Sequence, residues 1–253
     1  MISSFRPEYP ASCCAIALAA GETIMQYFTS EFTTSHKADR SPVTQADIAA
    51  NLLIVKALKE LSPHIPIVAE EDEELNAGGH GLFWLVDPLD GTRAFVRGEP
   101  EFTVNIGLIE NGKPIFGVIY APPQCAMYWG APGHGAFRRL GEAHAQPIHV
   151  RAAAADGLVV VRSRSQPSAR TAAYLNALPI KEIIPGSSSI KFCQVAEGSA
   201  DIYPRFGRTM EWDTAAGHAI LAAAGGRVET LDGQPLGYGK TGFENPPFVG
   251  FGG

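Results

Sequence analysis

The organisation of this chain can be worked out from residues 82–92, Leu82-Phe-Trp-Leu-Val-Asp87-Pro-Leu-Asp90-Gly-Thr92. The apolar run predicts a strand, and the aspartates after it put carboxylates at the carboxyl end, where α/β proteins usually place their sites. Pro88 stiffens the connection and Gly91 allows a tight turn. The N–H groups that follow can then face an anion. A plain turn rich in Asp, Pro and Gly is the alternative that this stretch alone leaves open.

The spacing of the two aspartates favours a metal site over two other motifs. Carboxylates are hard oxygen donors, so they predict Mg²⁺, with a substrate phosphate completing its octahedron. An EF-hand loop that began at Asp87 would need Glu at its twelfth position, but residue 98 is Gly. Phosphatases with an aspartyl nucleophile place their aspartates two positions apart, whereas Asp87 and Asp90 are three apart. Asp87 is therefore interpreted as a ligand and not as a nucleophile.

The residues around this stretch predict two helices followed by a series of strands. Thr44 and Asp47 have the spacing of a capping box, which marks the start of the second helix. Asn111-Gly112 is a strong signal for a hairpin turn. We expect helices at 11–30 and 44–61, and strands at 66–69, 82–86, 103–109, 113–120 and 126–129.

A polar, Ala-rich connector at about 140–155 is the candidate domain boundary, and it divides the chain into parts 1–145 and 146–253. The second part alternates strands and helices, whereas the first contains a meander of strands. This combination predicts an α/β fold, an α+β layered sandwich with a partly antiparallel sheet. The elements expected after the boundary are strands at 158–161, 181–184 and 200–203 and helices at 167–178, 188–196 and 213–224.

The composition excludes several kinds of partner. A net charge of −6 disfavours a broad nucleic-acid surface, and no stretch approaches the roughly 20 apolar residues of a membrane span. The apolar residues of 11–20 continue with helical spacing past Glu22, which favours an amphipathic helix over a signal peptide. The four cysteines lack CxxC spacing, as is typical of reduced cytosolic thiols. We expect a cytoplasmic protein, monomer or homodimer, with peripheral attachment to the inner membrane left open.

A series of motifs makes the sequence recognisable along nearly its whole length. In chain order they are Lys37, Ser41-Pro-Val-Thr44-x-x-Asp47, Glu70-Glu71, Asp87-Pro-Leu-Asp-Gly-Thr92, and Trp212-Asp213 followed by a helix and Gly225-Gly226. This series resembles the inositol monophosphatase superfamily of lithium-sensitive phosphatases. The segments 186–198, 203–207 and 212–218 are similar to its bacterial CysQ-type branch, the 3′(2′),5′-bisphosphate nucleotidases. The resemblance implies the layered α/β sugar-phosphatase fold.

The resemblance also implies two or three Mg²⁺ ions in the active site. Glu70, Asp87 and the backbone carbonyl of Leu89 would hold one ion. Asp87, Asp90 and Asp213 would hold a second, with Asp87 bridging the two. The competing interpretation is that Glu70 merely begins a solvated acidic run, residues 70–74.

The same resemblance implies the catalytic residues. Asp47 and Thr92 would orient the attacking water and help to deprotonate it, and Glu70 would act with them. The backbone N–H groups of Gly91 and Thr92 would hold the phosphate that is cleaved, and no covalent enzyme intermediate is expected. Asp47 could instead serve only the positive N-terminus of its helix.

The favoured substrate is a phosphorylated nucleotide. The expected reaction is hydrolysis of 3′-phosphoadenosine 5′-phosphate to AMP and phosphate, with 3′-phosphoadenosine 5′-phosphosulfate as a second candidate substrate. A second phosphate needs a cation, for which Lys191 and Arg205 are the candidates and Arg162 and Arg164 the alternatives. Tyr203 or Phe206 could line a base slot. The residues expected to contact the substrate are Asp90, Gly91, Thr92, Gly186, Ser187, Lys191, Arg205 and Asp213.

Two other functions compete with this one. An inositol or sugar monophosphatase is the alternative among enzymes, and the segments 186–198 and 203–207 argue against it. A catalytically silent regulatory or binding module is the alternative of another class. Such a module would normally have lost a metal ligand or the water-activating pair, and this sequence contains all of them. We further expect His218 to be a packed histidine and the glycines at 130, 133 and 135 to form a turn, not a nucleotide loop.

Overall fold

The computed structural model of the chain describes residues 4–28, 34–36, 42–72, 81–163 and 168–253. The helices in these ranges are α1 Tyr9–Phe28, α2 Gln45–Leu61, α3 Thr92–Val96, α4 Ala169–Asn176, α5 Ile190–Ala196 and α6 Ala215–Ala223. The strands are β1 Thr34–His36, β2 Pro42–Thr44, β3 Ile67–Ala69, β4 Leu82–Asp90, β5 Thr103–Glu110, β6 Lys113–Ala121, β7 Ala126–Ala131, β8 Gly135–Leu140, β9 Gln146–Ile148, β10 Leu158–Arg162, β11 Ile180–Pro185, β12 Ile202–Arg205, β13 Arg227–Thr230 and β14 Phe248–Phe251.

The larger sheet has seven strands in the order β3-β4-β5-β6-β7-β8-β9. β3 is parallel to β4, and every other neighbouring pair is antiparallel. The β5–β6 hairpin closes at Asn111 and Gly112, whose φ angles of 52° and 76° are those of a primed turn. The predicted hairpin is therefore confirmed.

β1 and β2 form a separate antiparallel pair. The smaller of the two main sheets has five strands in the order β11-β10-β12-β14-β13. β10 lies parallel to both β11 and β12, and β14 lies antiparallel to β12 and β13. This mixture agrees with the predicted α/β fold that is partly antiparallel.

Helices cover and separate the two sheets, which gives alternating layers. α1 and α2 cover one face of the seven-stranded sheet, where Trp84 and Phe116 belong to the buried core. α5 and α6 lie between the sheets, and α4 packs on the outer face of the smaller one. The close fit of α6 on β6 needs glycine at 117, because a Cβ there would collide with the carbonyl oxygen of Ala216. This contact fixes α6 on the larger sheet and so places the residues just before it.

The second helix starts as the sequence predicts. Thr44 is the N-cap of α2, its hydroxyl accepts from the backbone N–H groups of Ala46 and Asp47, and the Asp47 carboxylate accepts from the backbone N–H of Thr44. This reciprocal pair is a complete capping box. Residues 29 and 30, at the end of the first predicted helix, lie outside the described ranges.

Other boundaries differ from those expected. β4 runs on to Asp90 and does not end at Val86, because Asp87 pairs with Asn105 and Asp90 with Thr103 across an irregular step. The connector contains β9 and the end of β8, and the predicted turn at Gly133 joins β7 to β8. Two strands after α6, β13 and β14, were not predicted. The division into domains at 145 stays a prediction, and one core cluster contains residues of both sheets.

Two further findings bear on location and reactivity. Of the helices in the described ranges, none has the length and apolarity that a membrane crossing needs. Cys13, Cys14 and Cys193 are buried free thiols, and burial raises the pKa of each. Cys125 is an exposed free thiol.

Candidate active site

Three carboxylates from separate parts of the chain meet at one end of the larger sheet. Glu70 follows β3, and its N–H donates to the carbonyl of Val86, which sets it beside Asp87 on the neighbouring strand. Asp87 is buried in β4, and its Oδ1 accepts from the N–H of Leu89 at 3.0 Å. Asp213 lies just before α6. One carboxylate oxygen from each of Glu70, Asp87 and Asp213 lies within 4.8 Å of the others.

This cluster fits a hard divalent cation. All three donors are carboxylate oxygens, the ligands that Mg²⁺ and Ca²⁺ prefer. Carboxylates so close together also repel one another unless a cation or a proton intervenes. Desolvation, and next the charge of Asp90, raise the pKa of Asp213 to about 8. The arrangement therefore holds either a proton or a metal ion at neutral pH.

Asp90 lies next to this cluster but is held in another way. Its Oδ2 accepts from the Ser188 hydroxyl at 2.5 Å, and its carbonyl accepts from the same hydroxyl at 3.2 Å. Behind Ser188, the Thr103 hydroxyl contacts both Ser188 and Ser189, and Ser189 donates to Asn105 Oδ1 at 2.6 Å. A chain of hydroxyl groups thus fixes Asp90 between β5 and the loop before α5.

Asp47 and Thr92 form a hydrogen-bonded pair beside the cluster. The Thr92 hydroxyl lies 3.1 Å from Asp47 Oδ1 and 3.1 Å from the carbonyl oxygen of Leu89. The other oxygen of Asp47 accepts from the backbone N–H and the hydroxyl of Thr44. Burial raises the pKa of Asp47, an effect that the hydrogen bonds from Thr44 and Thr92 oppose. Asp47 therefore caps α2 through one carboxylate oxygen and accepts a hydrogen bond from Thr92 through the other.

Gly91 joins the carboxylates to the short helix α3. Its φ of 102° is in the left-handed region, and a Cβ would lie 2.8 Å from the carbonyl oxygen of Glu101. Glycine is therefore required here. The first N–H groups of a helix have no partner inside it, so those at the start of α3 are available to an anion beside the carboxylates.

A cleft of about 250 Å³ opens from Asp90 and Asp213 toward a group of basic side chains. Lys191 is only 3% exposed, and its ammonium donates to the Ser188 carbonyl at 2.6 Å and lies 5.3 Å from the centre of the Tyr203 ring. Desolvation lowers the pKa of Lys191 to about 8. The residues that line the cleft are Asp90, Gly91, Arg93, Ala94, Arg97, Glu101, Ser163, Ser187, Ser188, Lys191, Tyr203, Arg205, Thr209, Asp213 and Thr214.

Arg205 is a second cation in this cleft. Its Nη1 lies 3.4 Å from Ser163 Oγ and its Nη2 donates to the Arg208 carbonyl at 3.2 Å. Its Nε is buried and has no hydrogen-bond partner among the described residues. Each Nη carries a second N–H group beyond the one used here, so part of the donor capacity of this guanidinium is left for a ligand.

Several other predicted residues lie apart from the cleft. Gly186 lines a neighbouring cavity, while Ser187, between the two, donates to Glu101. Phe206 packs against Tyr174 of α4 and is not among the residues that line the cleft, so the cleft does not support its expected place in a base slot. His218 is a packed histidine, as predicted: its Nδ1 lies 3.0 Å from Tyr238 Oη, and burial lowers its pKa to about 3.

Arg162, an alternative contact for the second phosphate, is not among the residues that line the cleft. Some other residues named from the sequence lie outside the described ranges. Lys37 and Ser41 of the recognised motif series lie outside the described ranges, as do Arg164 and the end of the acidic run at Glu74.

Sequence reasoning missed the residues that hold Asp90. Ser188 and Thr103 are 85 positions apart, and no local pattern connects them. Ser188 has a φ of 52°, which is uncommon for serine and invisible in the sequence. Arg93 and Arg97 also line the cleft. The sequence indicated them only weakly, through their position within two helical turns after Thr92. Long-range pairing, and not residue type, defines this part of the site.

Comparison with known proteins agrees with this geometry. A family model described as the inositol monophosphatase family matches residues 8–247. This chain belongs to the inositol monophosphatase family. Inositol monophosphatase family enzymes depend on metal ions, and the acidic cluster could bind one.

Relatives in this family resemble the chain over nearly its full length. It is 47% identical over 240 residues to a 3′(2′),5′-bisphosphate nucleotidase CysQ of Escherichia coli O6:H1, covering 93% of this chain and 96% of the relative. The CysQ of Salmonella typhimurium is 45% identical with the same coverage. The crystal structure of CysQ from Bacteroides thetaiotaomicron superposes with a TM-score of 0.84 at 37% identity, over 98% of both chains. The layered fold expected from the sequence is that of this family.

Proposed function

We propose that this chain is a 3′(2′),5′-bisphosphate nucleotidase that hydrolyses 3′-phosphoadenosine 5′-phosphate to AMP and phosphate. The observation that carries the proposal is the composition of one cleft. The carboxylate cluster at its end, which shares Asp213 with the cleft, can hold a metal ion, the start of α3 can hold the phosphate that is cleaved, and Lys191 and Arg205 offer cations for another phosphate. The names of the CysQ relatives support the same reaction. We place the activity in the cytoplasm, and none of these observations supports peripheral membrane attachment.

We assign the metal site to Mg²⁺. Glu70, Asp87 and the Leu89 carbonyl are the proposed ligands of one ion, and Asp87, Asp90 and Asp213 of a second. Bound Mg²⁺ would supply Lewis-acid stabilisation of phosphoryl oxygens and a more acidic water. The contribution of the chain is to hold five oxygen donors in fixed positions, through the hydrogen bonds of Leu89 to Asp87 and of Ser188 to Asp90.

Mg²⁺ binding should release a proton near neutral pH. Because the pKa of Asp213 is raised to about 8, its carboxyl group is protonated at lower pH in the metal-free protein. A cation that binds there must displace that proton. We expect the Mg²⁺ dissociation constant to fall by up to about tenfold per pH unit between about pH 6 and 8, and to level off above. Calorimetric titrations in two buffers of different ionisation enthalpy measure the proton released.

The stability of the metal-free protein should also depend on the ionisation of Asp213. A carboxyl whose folded-state pKa is raised contributes stability that is full below its unfolded pKa of about 4 and is lost as the pH rises through about 8. The rise in Tm on adding Mg²⁺ should therefore increase with pH across this window. Asp213→Asn is the control: it lacks both the titrating carboxyl group and a proposed ligand, so this pH-dependent gain in Tm should be absent. A dissociation constant that does not change across this range would contradict the prediction.

Asp47 and Thr92 are the proposed water-activating pair. The Thr92 hydroxyl can donate to Asp47, which leaves its oxygen lone pairs to accept a proton from a water molecule beside the carboxylates. The buried position of Asp47 raises its pKa and makes it a better base than an exposed aspartate. We propose that Glu70, close enough to raise the pKa of Asp47 by its charge, acts with this pair.

Lys191 and Arg205 are the proposed contacts of the phosphate that is not cleaved. A dianionic phosphate beside Lys191 would favour its charged form and could accept from the Nη N–H groups of Arg205 that Ser163 and Arg208 do not use. The pair would therefore select bisphosphates over monophosphates. Inositol or sugar monophosphates lack a group for this end of the cleft, which disfavours the alternative enzyme.

Replacing either cation should change substrate preference more than overall activity. We expect Lys191→Met and Arg205→Met each to lower kcat/KM for adenosine 3′,5′-bisphosphate by roughly ten- to a hundredfold, because one charge-assisted contact is lost. Adenosine 3′-monophosphate, which lacks the 5′-phosphate, should be hydrolysed nearly as well as by the wild type. Released phosphate, measured for both substrates with Mg²⁺, gives the ratio.

The control for these variants is Arg138→Met, which removes an arginine that pairs with Glu197 away from the cleft. It should leave the ratio of the two activities unchanged. If Lys191→Met and Arg205→Met also leave the ratio unchanged, the second phosphate binds elsewhere. Lower activity on both substrates together with a lower Tm would indicate a structural role only.

A further inference from the structure

The segment that carries Asp213 is held from behind by a later part of the chain. Residues 209–214 lead into α6, and residues 238–245, called the brace here, lie against them. The two segments pair as an isolated bridge between Met210 and Glu244. The N–H of Met210 donates to Asp213 Oδ2 at 2.8 Å and so sets the direction of the carboxylate. Whatever fixes Met210 therefore also orients Asp213.

Glu211 ties this segment to the brace through a fully buried carboxylate. It is 0% exposed, and its oxygens accept from the backbone N–H groups of Gly239 at 2.7 Å and Lys240 at 2.9 Å. The Lys240 ammonium lies 2.6 Å from the same carboxylate. Burying a charge in this way is costly unless donors surround it, and here three donors do. Glu211 is not among the residues that line the cleft, so contact with substrate does not explain why a charge is buried here.

Asn245 holds the other side of the same turn. Its Nδ2 donates to the Met210 carbonyl at 2.7 Å and to Thr214 Oγ1 at 3.0 Å, and its backbone N–H donates to the Thr209 carbonyl at 2.9 Å. The peptide group between Thr209 and Met210 is thus held on both sides: its carbonyl accepts from the Asn245 N–H, and its N–H donates to Asp213. The brace therefore contacts the chain before Asp213, at Thr209 and Met210, and directly after it, at Thr214.

We propose that Glu211 and Asn245 are positioning residues that hold Asp213 in the orientation that metal binding requires. The inference rests on the proposed metal role of Asp213. Loss of a group that orients a metal ligand through hydrogen bonds typically costs roughly 10–100-fold in metal affinity. The brace gives Asp213 this support from a part of the chain that lies outside the cleft lining.

The test compares Mg²⁺ affinity with stability in matched variants. Glu211→Gln removes the charge of a buried carboxylate, and Asn245→Ala removes the side-chain donors to Met210 and Thr214. The matched control is Asp201→Asn. Asp201 is a buried carboxylate that accepts from Val159 N–H and pairs with Arg151, at the far end of β12 from the cleft. Calorimetric titration with Mg²⁺ gives the dissociation constant, and thermal unfolding in chelator gives Tm.

We expect Glu211→Gln and Asn245→Ala to raise the Mg²⁺ dissociation constant by roughly ten- to a hundredfold. Asp201→Asn should lower Tm by a similar amount and leave the constant within about twofold, because its carboxylate orients no metal ligand. The binding event to follow is the one that Asp213→Asn abolishes. A purely structural role predicts a lower Tm with a wild-type dissociation constant in both brace variants, and that result would overturn the inference.

The outcomes also separate this inference from the proposed function. If the wild type binds Mg²⁺ and Asp213→Asn does not, the metal site stands, and the brace variants alone decide the inference. If the wild type binds no Mg²⁺, the proposed metal site fails and the inference fails with it. Should Glu211→Gln not fold, Asn245→Ala still gives the decisive constant, because it leaves no buried charge unpaired.

Discussion

Replacing Asp87 by Asn should lower kcat/KM by several orders of magnitude without unfolding the protein. Asp87 is 1% exposed, and one of its oxygens lies within 4.8 Å of oxygens of both Glu70 and Asp213. It is the proposed bridging ligand, so its loss would weaken both metal positions and the acidity that a bound ion would give the attacking water. The amide oxygen of Asn can still accept from the Leu89 N–H, which preserves the local backbone.

Stability in the absence of metal makes this prediction sharper. Asp87→Asn removes one of several carboxylates that repel one another, so its Tm in chelator should equal or exceed that of the wild type. Its gain in Tm on adding Mg²⁺ should largely disappear. The measurements are phosphate release from adenosine 3′,5′-bisphosphate and thermal unfolding with Mg²⁺ or chelator. Near wild-type turnover of this variant with excess chelator would refute the metal mechanism.

Local chemistry made parts of the fold predictable. The Thr44–Asp47 capping box and the Asn111–Gly112 hairpin each depend on residues close together in the sequence. Both are present in the structure, and each is stabilised by interactions among these same neighbouring residues. The apolar run at 82–86 likewise predicts a central strand.

Strands defined by distant partners were harder to predict. β9, Gln146–Ile148, is short and mostly exposed at the edge of its sheet, so its composition is that of a loop. β4 extends to Asp90 only because Asn105 and Thr103 on β5 pair with its polar end. Pairing across the sheet, and not propensity, decides both cases.

The candidate site likewise contains residues that the sequence predicts and residues that it does not. The carboxylates were predictable because each belongs to a recognisable motif, and the structure brings Glu70, Asp87 and Asp213 together. Ser188 and Asn245 act through contacts with residues distant in sequence, and serine or asparagine in a loop carries no such information. The groups that a family motif names were therefore predictable, and the groups that position them were not.

Asp47→Asn should lower kcat by about 10²–10⁴-fold, the usual contribution of a general base. Its carboxylate serves Thr44 through one oxygen and Thr92 through the other. Asparagine has a single acceptor oxygen and cannot serve both, and it cannot take a proton from water through Thr92. Because the metal ligands are untouched, the Mg²⁺ dissociation constant should stay near the wild-type value. A loss in kcat with unchanged metal binding is the expected pattern.

Thr44→Ala separates the capping role of Asp47 from its catalytic role. This variant removes the hydroxyl that accepts from Ala46 N–H, and loss of such a cap costs about 1 kcal/mol of stability. It also removes the hydroxyl donor to Asp47 Oδ2, but the bonds from Thr92 and from the Thr44 N–H remain, so kcat should fall far less than in Asp47→Asn while Tm falls. Thr92→Ser, which keeps a hydroxyl, should retain far more activity than Thr92→Ala. If Asp47→Asn and Thr44→Ala instead lose activity in proportion to their loss of Tm, Asp47 is only a helix cap and the base lies elsewhere.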